Sequence, residues 1–143
     1  MLRLTKKLLF GLEAVLDIAY NAKARPVQAA AITRRQGIPK RYLEQVLQAL
    51  VRDGMLIGQR GPKGGYRLAK EASAIAVADI VRIVRTIAAT PDPLIGAPAS
   101  ALGHRIVRPI WQDLQARQIA ALEALSLADL IERAKSQGVE AET

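Results

Sequence analysis

The chain has 143 residues, no cysteine, one histidine and a formal net charge of +8; half of its residues are apolar and only 3% are aromatic. A core of Leu, Ile, Val and Ala follows, which favours helices, and the length fits one domain with or without a helical extension. Disulfides, thiolate metal sites, cysteine nucleophiles and multi-histidine metal sites are excluded, and no apolar run approaches the ~20 residues of a membrane span.

The charge is unevenly placed. Residues 1–70 carry 14 Lys/Arg against 4 Asp/Glu, whereas residues 71–143 carry 7 against 9. The positive half is suited to a polyanion, and DNA is the obvious one. Serine–histidine chemistry would rest on His104 alone, beside Gly103 and without a nucleophile motif, so no enzyme is expected. The start, Met1 to Lys7, resembles a signal peptide, but Glu13 and Asp17 fall where its core should stay apolar, which predicts a cytoplasmic protein.

In chain order, Thr5 is an N-cap for a first helix over about 6–23, with Leu8, Leu12, Val15, Leu16 and Ala19 inside and Lys6 and Lys7 placed to touch a phosphate. A second, short helix is expected from Val27 or Gln28 to Gln36, burying Ala30, Ala31 and Ile32. Gly37 ends it, Ile38 fills the turn, and a third helix starts near Pro39 and stops at Gly54. Leu43, Val46, Leu47, Leu50 and Val51 form its apolar stripe, opposite a polar face of Lys40, Arg41, Tyr42, Glu44, Gln45 and Gln48. Two short helices about a glycine turn, the second with a polar outer face, make a helix-turn-helix. Strands over Met55–Gln59 and Tyr66–Ala69, joined by Arg60-Gly61-Pro62-Lys63-Gly64-Gly65, add a cationic wing.

A connector over 71–76 leads to a fourth helix at about 77–89, with Val77, Ile80, Val81, Val84 and Ile87 inside. Three prolines between Pro91 and Pro98 then require a loop. Val107, Trp111, Leu114, Gln118, Ala121 and Leu125 step by four and three along a long helix, a heptad-like seam that needs a partner. That helix either begins near Ser100 and kinks at Pro109, or begins at Arg108 with Pro109 in its first turn. Trp111 suits a dimer core or the wall of an effector pocket. Ser126 and Asp129 form a capping box, with Leu125 and Leu130 as its staple, for a last helix at about 127–137 ending near Gly138; 139–143 reads as a frayed tail.

The strings Tyr42-Leu43-Glu44-Gln45 and Arg60-Gly61-Pro62-Lys63-Gly64-Gly65-Tyr66-Arg67-Leu68-Ala69 strongly resemble the Rrf2 family of bacterial transcription regulators, which includes the IscR, NsrR and CymR types. The likeness continues through Ile75 to Ile80 and reaches Trp111-Gln112-Asp113-Leu114 and Ser126 to Leu130. It implies a homodimer whose long helices cross, with one winged helix on each half of a palindromic operator. It places the third helix in the major groove, with Arg41, Tyr42 and Gln45 at bases or nearby backbone, and Arg60 in the minor groove. Lys40, Lys63 and Lys6 complete the expected DNA-binding set. Tyr42 also has a packing reading at the helix edge, and Arg60 a reading as a solvated tip. Many members hold an iron–sulfur cluster on three cysteines between the fourth and fifth helices, but Thr90 to Arg108 has none, so no cofactor is expected. Arg41 stands where some relatives have a small hydroxyl residue, and His104 lies near the place of the missing cysteines.

The expectation is therefore a mainly α protein with a small β-hairpin: a winged helix-turn-helix DNA-binding domain over 1–76, and a helical dimerisation and effector region over 77–143 with a loop at 90–103. Its partners are double-stranded DNA and a second copy, with no membrane and with room for a small-molecule effector. Repression by operator occlusion is the expected action. A protein-docking winged helix and a ligand holder without operator specificity are the rivals.

Overall fold

The computed structural model describes residues 5–87 and 99–142. Helix α1 spans Lys6–Asn21, and Thr5 caps it, its hydroxyl accepting the Leu8 N–H at 3.2 Å. Leu8, Ala14, Val15 and Ile18 are buried, while the expected Leu12, Leu16 and Ala19 are half-buried. Helix α2 (Ala29–Gln36) is anchored by buried Ile32. Ala31 is half-buried and Ala30 is exposed, because two residues of helical rotation carry Ala30 nearly opposite Ile32. Gly37 ends α2 in the left-handed conformation, φ 66°, and Ile38 plugs the turn beneath it.

Helix α3 (Lys40–Arg52) follows, with Pro39 at its boundary. Leu43, Val46, Leu47 and Leu50 are buried as their spacing predicts, whereas Val51 at the edge of the stripe stays 37% exposed. Strands β1 (Leu56–Gln59) and β2 (Gly65–Leu68) pair antiparallel, Leu56 opposite Leu68 and Gln59 opposite Gly65. A 3-10 turn at Ala72–Ala74 leads to helix α4 (Val77–Ile87), which buries Val77, Ile80, Val81, Ile83 and Val84. The fold is the mainly α arrangement with one small hairpin that the pattern predicts.

One apolar core joins α1 to α4 and β1, and it also takes in Leu127 at the start of helix α6 (Leu127–Ser136). Two helix starts meet there: Val77 N–H donates to the Leu125 carbonyl at 2.8 Å, and Leu127 N–H to that of Ile75 at 2.9 Å. Ser126 and Asp129 close the expected capping box, and Asp129 lies below its ordinary pKa because the Ser126 backbone and side chain donate to it. Leu125 and Leu130 pack against the core as the staple.

The Pro-rich stretch over 90–98 falls outside the described residues. The chain is helical from Ala101, with the Ser100 hydroxyl accepting the Gly103 N–H at 3.1 Å, so the earlier of the two expected starts is taken. Gly103–Val107 form a π-helical turn that runs into helix α5 (Arg108–Glu123). In a regular helix the Pro109 ring would clash with the carbonyl four residues back, and a widened turn is the accommodation. No residue of α5 is fully buried. The segment expected to fray is docked instead. The Tyr20 hydroxyl donates to the Val139 carbonyl, and the Glu142 N–H to Asn21 Oδ1 at 2.7 Å. Among the described residues, no helix is long and apolar enough to cross a membrane.

Candidate nucleic-acid interface

The outer face of α3 is set by its inner one. With the Leu43–Leu50 stripe in the core, Lys40, Arg41, Glu44, Gln45, Gln48 and Arg52 all stand in solvent. The wing rises beside this face and is fastened to the residues before α2 through β2 and its turn. Val27 N–H donates to the Tyr66 carbonyl at 2.9 Å, Tyr66 N–H to that of Val27 at 2.7 Å, and Gln28 Nε2 to that of Pro62 at 3.1 Å. This explains the paired glycines. A Cβ on Gly65, at φ 148°, would sit 2.4 Å from the Val27 carbonyl oxygen, and one on Gly64 would sit 2.1 Å from that of Gln59. Their small size serves contacts within the protein.

Between the start of α2, the second half of α3 and the wing lies an open cleft of about 550 Å³. Gln28, Gln48, Arg52, Gln59 and Arg60 supply its polar walls, Val51 and Tyr66 its apolar ones, and no carboxylate lines it. Cations and amides are the groups that hold phosphate oxygens and read base edges. Of these residues only Arg60 belongs to the expected DNA-binding set. Gln28, Gln48, Arg52 and Gln59 come from three elements that no short string joins. Gln48 already stands on the polar face predicted for α3, and Arg52 follows it at a helical step of four.

The other expected residues do not line this cleft. Lys40, Arg41 and Gln45 are exposed on α3, and Lys6 is exposed at the start of α1. Lys63 is exposed on the wing and borders a second hollow with Arg25 and Arg35. Tyr42 turns the other way. Its hydroxyl donates to the Lys7 carbonyl at 2.5 Å, its ring lies 6.0 Å from that of Phe10, and the Lys7 ammonium sits 5.9 Å above it. Burial pushes its phenol up to about 12. These contacts fasten α3 to α1, the packing role among its two readings.

Asp17 is the polar anchor behind α2. Its side chain is fully buried and receives Arg35 Nε at 2.9 Å, Arg35 Nη2 at 2.6 Å and Gln36 Nε2 at 2.8 Å. Burial pushes the carboxyl up, but the bonds from Arg35 and Gln36 outweigh it and hold Asp17 below its ordinary range. Arg35 is raised in turn, chiefly by its hydrogen bonds to Asp17.

Along the π turn and α5, Val107, Trp111, Leu114, Gln118 and Ala121 are exposed, while Leu125, just past α5, is half-buried against the chain's own core. Beside them stand Leu102, Ile106 and Ile110, 72%, 56% and 57% exposed, which the heptad reading omits. His104 is exposed within the π turn, and the cap at that helix start is Ser100.

Comparison with known proteins agrees with this geometry. Residues 4–133 match the Rrf2 family, described as an iron-dependent transcriptional regulator. The HTH-type transcriptional regulator IscR of Escherichia coli O1:K1 is 37% identical over 132 residues, spanning 91% of this chain and 80% of that protein. The structure of T. potens IscR superposes with a TM-score of 0.77 at 27% identity, over 99% of this chain and 94% of that one. CymR, the global cysteine regulator of B. subtilis, superposes at 0.72 with 25% identity, over 93% and 98%. The residues present do not fit a thiolate-held iron centre. The chain has no cysteine, its one histidine is exposed, and among the described residues no group of three or more His, Cys, Asp or Glu is placed to hold a metal.

Proposed function

The chain belongs to the Rrf2 family of transcriptional regulators, which bind DNA through a winged helix-turn-helix, and we propose that it is a homodimeric repressor that occludes a palindromic operator without an iron–sulfur cluster. Residues 1–76 read the operator; residues 77–143 make the dimer and take any effector signal. The carrying observation is the carboxylate-free cleft between α3 and the wing, walled by Arg52, Arg60 and glutamines from the N-cap of α2, from α3 and from β1. A protein-docking groove would present an apolar or acidic α3 face, and this face is neither.

In this reading α3 enters the major groove with Arg41 and Gln45 toward base edges, and Lys40 at its first turn meets the backbone. Arg60 enters the minor groove beside the wing, while Lys63 and Lys6 hold phosphates on either flank. Tyr42 acts behind the interface by holding α3 on α1. The apolar side of α5, from Leu102 to Leu114 and on to Gln118 and Ala121, supports a dimer, because a monomer leaves a row of large side chains in water. The two-fold axis passes between the crossed helices, and for both α3 helices to bind they must stand about one DNA turn apart, or a multiple of it. Such a protein works where the chromosome is, in the cytoplasm.

Selection of sites from a random duplex pool by the full chain tests this. The expected product is a palindrome whose half-sites are ~10 base pairs apart or a multiple of it. Enrichment of single half-sites, or none, would overturn the dimeric operator reading.

A further inference from the structure

The segment after α6 reaches across to the DNA-binding unit and carries negative charge to it. Glu142 Oε2 accepts from Arg35 Nη1 at 3.0 Å and from Arg34 Nη2 at 3.3 Å. Its N–H is tied to Asn21, and Val139 to Tyr20, so both α1 and α2 hold the segment in place. The Glu142 carboxyl lies below its ordinary pKa, first because Arg35 donates to it, so it is ionised at neutral pH. Asp17 already satisfies Arg35, so α2 does not need a second carboxylate for its anchorage. Arg34 remains 71% exposed and has Glu142 as its salt-bridge partner. The hollow that Glu142 borders is also lined by Arg25 and by Pro62, Lys63 and Gly64 of the wing. Gln28 lines both this hollow and the DNA cleft. The carboxylate therefore stands on the flank of the wing, among the cations Arg25, Arg34, Arg35 and Lys63.

We propose that Val139–Glu142 is an acidic brake on DNA binding: docked on α1 and α2, it masks Arg34 with the Glu142 carboxylate and lowers the positive potential beside the wing. This rests on the reading of the wing side as the DNA face. The brake acts most on sequence-independent binding, where phosphate attraction is the main term, and so sharpens discrimination for the operator. Its reach is set by screening, since charges beyond ~8–10 Å are largely shielded at physiological salt.

The test is fluorescence anisotropy of the full chain on a labelled 25-base-pair duplex of scrambled sequence, from about 50 to 300 mM salt. Wild type is compared with Glu142→Gln, Arg34→Gln, the double variant and Arg60→Ala, each checked for unchanged circular dichroism. Glu142→Gln is expected to bind about two- to fivefold tighter at the lowest salt, with the gain fading as salt rises. Arg34→Gln in the Glu142→Gln background should remove most of that gain. Unchanged or weaker binding by Glu142→Gln, with Arg60→Ala still impaired, overturns the brake and leaves the DNA face standing. Full binding by Arg60→Ala overturns the face reading, and the brake falls with it.

Discussion

Replacing Asp17 by Ala removes the acceptor on which the geometry of α2 rests. The carboxylate is fully buried and takes three hydrogen bonds between 2.6 and 2.9 Å, two from Arg35 and one from Gln36. Breaking a buried pair by deleting one member costs about 3–5 kcal/mol, since the other charge loses its compensation. Arg35 retains Glu142 and a side chain 15% exposed, which places the loss near the lower end, about 3 kcal/mol. Unfolding entropy of about 2.1 cal/mol/K per residue gives a chain of this length about 0.3 kcal/mol/K, so Tm should fall by about 10 °C. The pH dependence has a definite sign. Asp17 binds its proton less readily folded than unfolded, so its stabilisation is complete above the ordinary Asp pKa and is lost as pH falls through that value toward the folded one. Asp129 and Glu142, also lowered, share the acid limb but persist in the variant. Thermal unfolding followed by circular dichroism from pH 7 to pH 3 should therefore show wild type and Asp17→Ala converging as pH falls. A fall under about 3 °C at pH 7, or curves that stay parallel to pH 3, would refute the argument.

Gly65→Ala places a methyl group against the Val27 carbonyl at a backbone angle that side chains resist, so the wing should detach from α2. Hydrogen exchange at the Val27 and Tyr66 amides should speed up and DNA affinity should fall at least tenfold, with helix content kept; protected amides would contradict this. Tyr42→Phe loses one hydroxyl bond to Lys7, worth about 1 kcal/mol of stability, and should change operator affinity less than about threefold. A tenfold loss of affinity without loss of stability would return Tyr42 to the bases. Ile110→Lys puts a charge in the apolar row of α5 and should give a folded monomer by sedimentation, whereas an unaltered dimer would move the interface elsewhere.

Local chemistry was legible in the sequence. The Leu43–Leu50 stripe, the Thr5 cap, the Ser126–Asp129 box and the glycine stop at Gly37 each act within about two turns of chain, where spacing alone decides the outcome. The wing was legible because its glycines and cations are contiguous. What escaped lies between distant positions. Nothing near Asp17 announces Arg35, and the row from Val139 to Glu142 reads as a tail until α1 and α2 are brought beneath it. Tyr42 was ambiguous because a tyrosine at a helix edge serves a base or a neighbouring helix equally well. The candidate cleft was only partly visible, since Gln28, Gln48, Arg52 and Gln59 are collected from the N-cap of α2, from α3 and from β1. The π turn before Pro109 reflects a local conflict whose position the sequence marks but whose resolution it leaves open.

The most direct measurement of the central claim is binding of the full chain to a duplex enriched from the random pool, against a scrambled duplex, across a salt series, with Arg60→Ala alongside. A dimer neutralising roughly eight phosphates gives a log–log salt slope near −7. Preference for the enriched duplex should be at least about a thousandfold, and Arg60→Ala should reduce it. Equal affinity for the two duplexes, or no binding at low salt, would contradict an operator-reading winged helix.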